Sequence, residues 1–217
     1  MLSVVIPTHD SERRLVPVLS ALVQGVTAGV LRDVTLVDSD STDATATIAD
    51  AAGCAFLHSV GDVGVRLRQG AAASRGRWLM FLTDRSFLEE GWAREVAHFI
   101  ETAERRGQAE RIAATFRLAV DGYGFGPRLG EAVAAARLAL LGLPKPGQGL
   151  IISRRHYDRL GGHPSGVKAE QRLIARIGRR GIHLLRARIL LTDGAGEDSA
   201  PEPGRNGRAD GRAFHPN

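Results

Sequence analysis

The chain has 217 residues, 43% of them apolar and 24% charged, with a formal net charge of +5, which is enough for one large domain with a real core; no stretch approaches the roughly 18–20 apolar residues of a membrane span. The single cysteine, Cys54, excludes an internal disulfide framework and fits a reducing compartment. With no basic-then-apolar leader at its start the sequence reads as cytoplasmic, and few aromatics with no groove-reading motif set nucleic acid aside as a partner.

Leu2–Ile6 is the first predicted strand. Leu15, Val18, Leu19, Leu22, Val23 and Val26 then recur at helical spacing, with Ser11 or Asp10 as the cap. Pro17, tolerated only in a first turn, predicts a helix that starts later than the periodicity suggests. Val34–Val37 is a second strand, Thr42–Ala52 a helix opened by Asp-Ser-Thr-Asp and stopped by Gly53, and Cys54–His58 a third strand. Arg66–Arg75 reads as a small-residue helix ending at Gly76, Trp78–Leu82 as an apolar strand and Leu88–Arg106 as a long helix. This alternation argues for an α/β fold, a doubly wound, mainly parallel sheet flanked by helices. The second half is less regular: a strand over Ile112–Val120, a helix over Arg128–Leu141 and a strand over Leu150–Ser153. Short helices at Arg155–Leu160 and Ala169–Arg180 flank the Gly161-Gly-His-Pro164 turn, and a last strand covers Ile182–Leu191. Residues 193–217 carry almost no apolar side chains and predict a disordered tail, which leaves one domain over 1–192.

Two of these strands end alike. Ser3-Val-Val-Ile-Pro-Thr-His-Asp10 and Val34-Thr-Leu-Val-Asp-Ser-Asp-Ser-Thr-Asp-Ala44 are apolar runs that stop in hydroxylated and acidic residues. One helix-length segment separates them, as a right-handed parallel crossover requires. In an open α/β sheet, ligands sit beyond the carboxyl ends of the strands, so the two endings form the floor of a polar-ligand site. Arg172, Arg176, Arg179, Arg180, Arg186 and Arg188 form a stripe without an intervening acid. Such a stripe suits an anionic ligand or peripheral contact with a membrane surface, or is simply a solvated face. His156, His163 and His183 lack metal-ligand spacing and read as structural.

The ordered set of these segments, with Gly70-Ala-Ala-Ala-Ser-Arg-Gly, Trp78-Leu-Met-Phe-Leu, Gly147-Gln-Gly-Leu-Ile-Ile-Ser-Arg-Arg and Leu160-Gly-Gly-His-Pro, resembles the family 2 glycosyltransferases, closest to their compact single-domain bacterial members. The resemblance implies a GT-A fold, a nucleotide-binding half over 1–106, an acceptor half over 107–192 and a nucleotide-sugar donor of UDP or GDP type. It assigns Pro7 and Thr8 to the wall beside the base, Asp38 to the carboxylate that accepts a hydrogen bond from it, and Ser41 to the loop under the ribose. Arg66, Arg68 and Gly70 fall on the helix bordering the diphosphate, where an amide is usual at the Arg68 position.

Four family acids are altered, at positions 83, 85, 147 and 169. The two carboxylate positions of the metal motif hold Thr83 and Arg85, with Asp84 between them. Three readings follow: Asp84 holds Mg²⁺ or Mn²⁺ together with the diphosphate, Arg85 replaces the metal as a fixed cation, or catalysis has been lost. Gly147 stands where an acid precedes Gln148 on the acceptor side. Ala169-Glu170 aligns with the pair that opens the helix beyond the Gly-Gly turn, which puts Glu170 at the catalytic base position of an inverting transfer. The resemblance therefore implies a glycosyltransferase or, from the altered acids, a catalytically silent nucleotide-sugar-binding module. A nucleotidyltransferase shares such a sheet but lacks support here, because no glycine- and lysine-rich phosphate loop is present.

Overall fold

A computed structural model describes residues 1–119, 144 and 147–191. The predicted helix at 128–141 and the tail at 193–217 lie outside the described residues. The strands are β1 (Leu2–Thr8), β2 (Leu31–Asp38), β3 (Ala55–His58), β4 (Trp78–Phe81), β5 (Ser86–Leu88), β6 (Ala113–Ala119), β7 (Leu150–Ser153) and β8 (Ile182–Leu191). They form one sheet in the order β3-β2-β1-β4-β7-β6-β8-β5. The β3-β2-β1-β4 half is parallel throughout. β7 runs antiparallel to β4 and β6, β6 pairs parallel with β8, and β5 closes the far edge antiparallel to β8. The helices are α1 (Glu12–Thr27), α2 (Thr45–Ala51), α3 (Val63–Ala73), α4 (Trp92–Arg105), α5 (Arg154–Arg159) and α6 (Ala169–Ile177). None of them is long and apolar enough to cross a membrane.

Side chains alternate across each strand, which gives the sheet two buried faces. Leu2, Val4, Ile6 and Met80 pack with Leu15, Leu22, Trp92 and Val96, the apolar stripes of α1 and α4. Val5, Val37, Leu79 and Phe81 pack on the other face with Leu67, Ala71, Tyr157 and Leu173, contributed by α3, α5 and α6. Gly70 is what lets α3 lie so close: a Cβ there would come within 2.4 Å of Val5 Cγ1 and 2.8 Å of Val37 Cγ2.

Several element ends differ from the sequence expectation. Helix α1 begins at Glu12 despite Pro17, because Val16 and Pro17 lie on its exposed face and the hydrogen bond a proline cannot make is lost where solvent reaches. Ser11 occupies the cap position, but its hydroxyl is used elsewhere. Helix α2 starts only at Thr45, since residues 42–44 hold the neighbouring loop instead: the Thr42 N–H donates to Asp10 Oδ1 (2.8 Å) and the Ala44 N–H to Glu12 Oε2 (3.1 Å). Helix α3 starts three residues before Arg66 because Asp62 caps it, accepting from the N–H groups of Gly64 (2.9 Å) and Val65 (3.1 Å). Leu88 belongs to β5 rather than to the following helix, which starts after Gly91 at φ 85°. Helix α6 stops at Ile177, where Gly178 takes φ 76°, ψ 159°, and a 3₁₀ turn over Arg179–Gly181 leads into β8.

Candidate functional site

Strand register assembles the site. In the β1–β2 pair Thr8 sits opposite Asp38, and in the β2–β3 pair Asp38 sits opposite His58, so these residues end side by side at the carboxyl edge. Val5 is opposite Phe81 in β4, which carries the Thr83–Arg85 turn to the same edge. Phe81 is in turn opposite Leu150 of the antiparallel β7, which returns Gly147 and Gln148 to it.

At the β1–β2 end the strand-end polar groups hydrogen-bond to one another. Asp38, 3% exposed, accepts from Thr8 Oγ1 (2.9 Å) and Ser41 Oγ (2.5 Å) on one oxygen and from the Ser41 N–H (2.9 Å) on the other. Ser41 Oγ also accepts from the Asp10 N–H (2.9 Å), and the Glu12 N–H donates to Asp43 Oδ2 (2.9 Å). The two strand–helix loops thus cap each other, with Asp10 and Asp40 in the left-handed region at φ 43° and 56°. Arg66 reaches the same place from α3 and donates from Nη1 to the Thr8 carbonyl (3.0 Å), while its Nε is buried without a hydrogen-bond partner.

Next to this floor lies a cavity of about 420 Å³. Pro7 of β1, Val63 and Leu67 of α3, Phe81 and Leu82 at the end of β4, the Thr83–Arg85 turn, Gly147, and Val167, Glu170 and Gln171 at the start of α6 line it, with Leu191 closing one side. The Glu170 carboxylate accepts one hydrogen bond, from the Gly147 N–H (3.2 Å). Burial against this mostly apolar wall pushes its pKa up from 4.5 to about 7, only partly offset by that N–H. Glu170 is therefore a carboxyl group that exchanges its proton near neutral pH, one wall away from the Thr83–Arg85 turn.

Asp84 faces the cavity but is already bonded. One oxygen, Oδ2, accepts from Ser11 Oγ (2.7 Å) and from Arg14 Nε (2.8 Å). Arg14 Nη2 reaches further to the carbonyls of Asp10 (3.0 Å) and His9 (3.4 Å). Thr83 Oγ1 is within hydrogen-bond distance of Ser86 Oγ (2.8 Å) and accepts from the Arg85 N–H (3.3 Å). Among the described residues no group of three His, Cys, Asp or Glu side chains converges to hold a metal. A lone carboxylate that carries an arginine on the oxygen it presents is not the oxygen-rich donor set a hard divalent cation takes. A metal therefore does not fit this turn as built.

Three expected positions are engaged in holding the fold. Arg68 donates from Nη1 to the His163 carbonyl and from Nη2 to Ser165 Oγ (3.2 Å), so it ties α3 to the Gly-Gly-His-Pro turn rather than facing a diphosphate. Gly70 is accounted for by its close approach to the sheet. Gln148 is 3% exposed and donates from Nε2 to the Phe116 carbonyl (2.9 Å), which ties it to β6. The arginine stripe has a similar use: Arg172 donates to the Ser165 carbonyl (3.2 Å), Arg176 to the Leu160 carbonyl (2.9 Å), and Arg188 pairs with Glu89 (2.9 Å). His163 is wholly buried in the same turn with Nδ1 2.9 Å from the Tyr157 hydroxyl, and burial, then the nearby Arg68 charge, lowers its pKa to about 3.

Sequence reasoning missed Arg14, Asp62 and the apolar wall. Arg14 looks like any exposed helix residue, and nothing in its spacing connects it to Asp84. The Asp62-Val-Gly start does carry a cap signal, which the glycine after it obscured.

Residues 3–109 match the family "Glycosyl transferase family 2". The match covers just under half of the chain, and the fold is GT-A. Among solved structures, Staphylococcus aureus TarS 1–349 in complex with UDP-GlcNAc superposes with a TM-score of 0.64 at 16% identity over 92% of this chain. The Mycobacterium tuberculosis glucosyl-3-phosphoglycerate synthase, in complex with Mn²⁺, UDP and glucosyl-3-phosphoglycerate, gives 0.62 at 19% over 89%. The mannosyltransferase PcManGT from Pyrobaculum calidifontis, in complex with GDP-Man and Mn²⁺, gives 0.66 at 15% over 90%. The GT-A chain described here spans 61%, 72% and 58% of these proteins, and 36% of a longer TarS chain. No curated protein sequence matches it.

Proposed function

We propose that this GT-A protein moves a sugar from a nucleotide-sugar donor of UDP or GDP type to an acceptor hydroxyl with inversion, and that Glu170 is its general base. The observation that carries this reading is the placement of Glu170 on the wall of the cavity that also holds the Thr83–Arg85 turn, where burial pushes its carboxyl pKa up to about 7. A base is most effective when its pKa lies near the working pH. The acceptor oxygen attacks the anomeric carbon, its proton passes to Glu170, and the bond to the diphosphate breaks with its electron pair leaving on phosphate. Pro7, Thr8, Asp38 and Ser41 form the floor for the nucleoside, Arg66 lies beside it, and Arg85 at the cavity wall steadies the leaving diphosphate. The family match, and the UDP- and GDP-sugar complexes among proteins of the same fold, support the donor class.

The test compares Glu170→Gln with the wild type for release of UDP or GDP from common sugar conjugates in the presence of candidate acceptors. Turnover is expected to fall by about 10²–10⁴-fold, with the calorimetric Kd for UDP or GDP unchanged. Undiminished turnover in the variant removes Glu170 from the mechanism. A second reading, a silent nucleotide-sugar-binding module, draws on the bonded state of Asp84. It predicts nucleotide binding with no turnover by the wild type for any donor.

A further inference from the structure

The turn after β4 carries an unusual charge arrangement. Its one carboxylate, Asp84, is bonded to Arg14 Nε at 2.8 Å, and the same guanidinium lies against the carbonyls of Asp10 and His9. Arg14 thus occupies a nest of three oxygens, one anionic and two from the backbone, and sets a fixed positive charge against the turn's carboxylate. Ser11 Oγ completes the arrangement from the cap of α1, donating to the same carboxylate oxygen at 2.7 Å. A turn with two carboxylates and a divalent cation is neutral before its ligand arrives. Here Arg14 neutralises Asp84 without any metal, and Asp84 and Arg85 both line the cavity. A divalent cation approaching Asp84 would have to displace a bonded arginine and accept the repulsion of a second one.

We propose that Arg14 holds the place of the divalent cation at this turn, so that a nucleoside diphosphate binds here without metal. The inference rests on the nucleotide-sugar reading above and adds how the diphosphate charge is met. Arg14 acts through Asp84: it neutralises that carboxylate and fixes the turn that borders the cavity. In this role it is a positioning residue, and guanidinium is suited to it because it stays charged at any working pH.

Calorimetric titration with UDP and GDP in EDTA and in Mn²⁺, on wild type and Arg14→Met, decides the matter. The wild type is expected to bind with the same affinity in both buffers, within about twofold. Arg14→Met keeps a comparable stem but exposes the Asp84 charge, so in EDTA its affinity should drop by about tenfold or more. Mn²⁺ should restore part of that loss in Arg14→Met and none of it in Arg14→Met/Asp84→Asn. Electron paramagnetic resonance of Mn²⁺ gives an independent readout: no bound signal with wild type, one with Arg14→Met. Wild-type binding that needs Mn²⁺ overturns the inference and leaves the nucleotide reading standing, whether or not the variant folds. No binding of either nucleotide in either buffer overturns the nucleotide reading itself, and this inference with it.

Discussion

Asp38 and Glu170 are both carboxylates at the carboxyl edge of one sheet, and their surroundings differ in kind. Asp38 takes three hydrogen bonds from Thr8 and Ser41, and its loop is interlocked with the next one through Asp10, Glu12 and Asp43. Glu170 takes an N–H from Gly147 and otherwise lines a mostly apolar cavity that it shares with the Thr83–Arg85 turn and Gln171. The β1–β2 end is therefore a rigid, satisfied platform whose geometry is set before any ligand arrives. The β4–β7 end holds a carboxyl group in reserve, under-bonded and desolvated, with spare acceptor capacity on its oxygens. Binding and chemistry make opposite demands of the same functional group, and the two ends of this edge meet them separately.

The sharpest way to break that contrast is to remove the satisfied carboxylate. Asp38→Ala leaves the Thr8 hydroxyl and both Ser41 donors without their shared acceptor in a site that is 3% exposed. A stability loss of about 2–4 kcal/mol by urea unfolding is expected, with nucleotide binding abolished. A loss below about 1 kcal/mol would show that the platform is not held by Asp38.

A packing change can instead disturb the Glu170 end and spare the platform. At Gly64, in the first turn of α3, an added Cβ would lie 2.0 Å from the Pro164 carbonyl oxygen and 2.9 Å from Ala169 Cβ. Backbone cannot move as a side-chain tip can, so Gly64→Ala should push the 161–166 turn and the start of α6 outward. The overpacking cost, net of the roughly 1 kcal/mol that alanine gains in a helix, is expected to be about 1–2 kcal/mol. Turnover should fall more than nucleotide affinity does. Equal losses in both would mean that the two ends are mechanically one unit.

The platform was legible in the sequence and the reaction end only partly so, for physical reasons. Val4–Ile6 and Leu36–Val37 are continuous apolar runs because parallel strands are buried on both faces, and the polar residues after them mark where the sheet stops. Thr8 and Asp38 could thus be brought to one sheet edge from the chain alone. Glu170 was reached only by counting along a family pattern, and no local signal reports the wall that desolvates it. β5 is three residues long and exists only because β8 pairs with it, so neither propensity nor periodicity reveals it. Arg172 and Arg176 read as a solvated stripe, yet both donate to carbonyls of the turn ahead of α6. An arginine's partner is a matter of tertiary geometry, and a charge run says nothing of it.

The smallest expected effect is also the most direct probe of the reserve state of Glu170. Its pKa is raised from 4.5 to about 7 by burial, so between those pH values the folded protein binds more protons than the unfolded chain. Stability then falls as pH rises through that window, the opposite of the usual salt-bridged carboxylate. Glu170→Gln, which mimics the protonated form and still offers an oxygen to the Gly147 N–H, removes this dependence. The variant should match the wild type at pH 4.5 and exceed it by about 1–2 kcal/mol at pH 8, read by thermal or urea unfolding across the range. That is roughly half of what the full shift would give, because the half-buried carboxyl keeps contact with water. A pH-independent difference between the two proteins would place Glu170 in an ordinary solvated setting. Its turnover would then lack the rise through pH 7 that a desolvated base imposes, and the contrast with Asp38 would reduce to a difference in hydrogen-bond number.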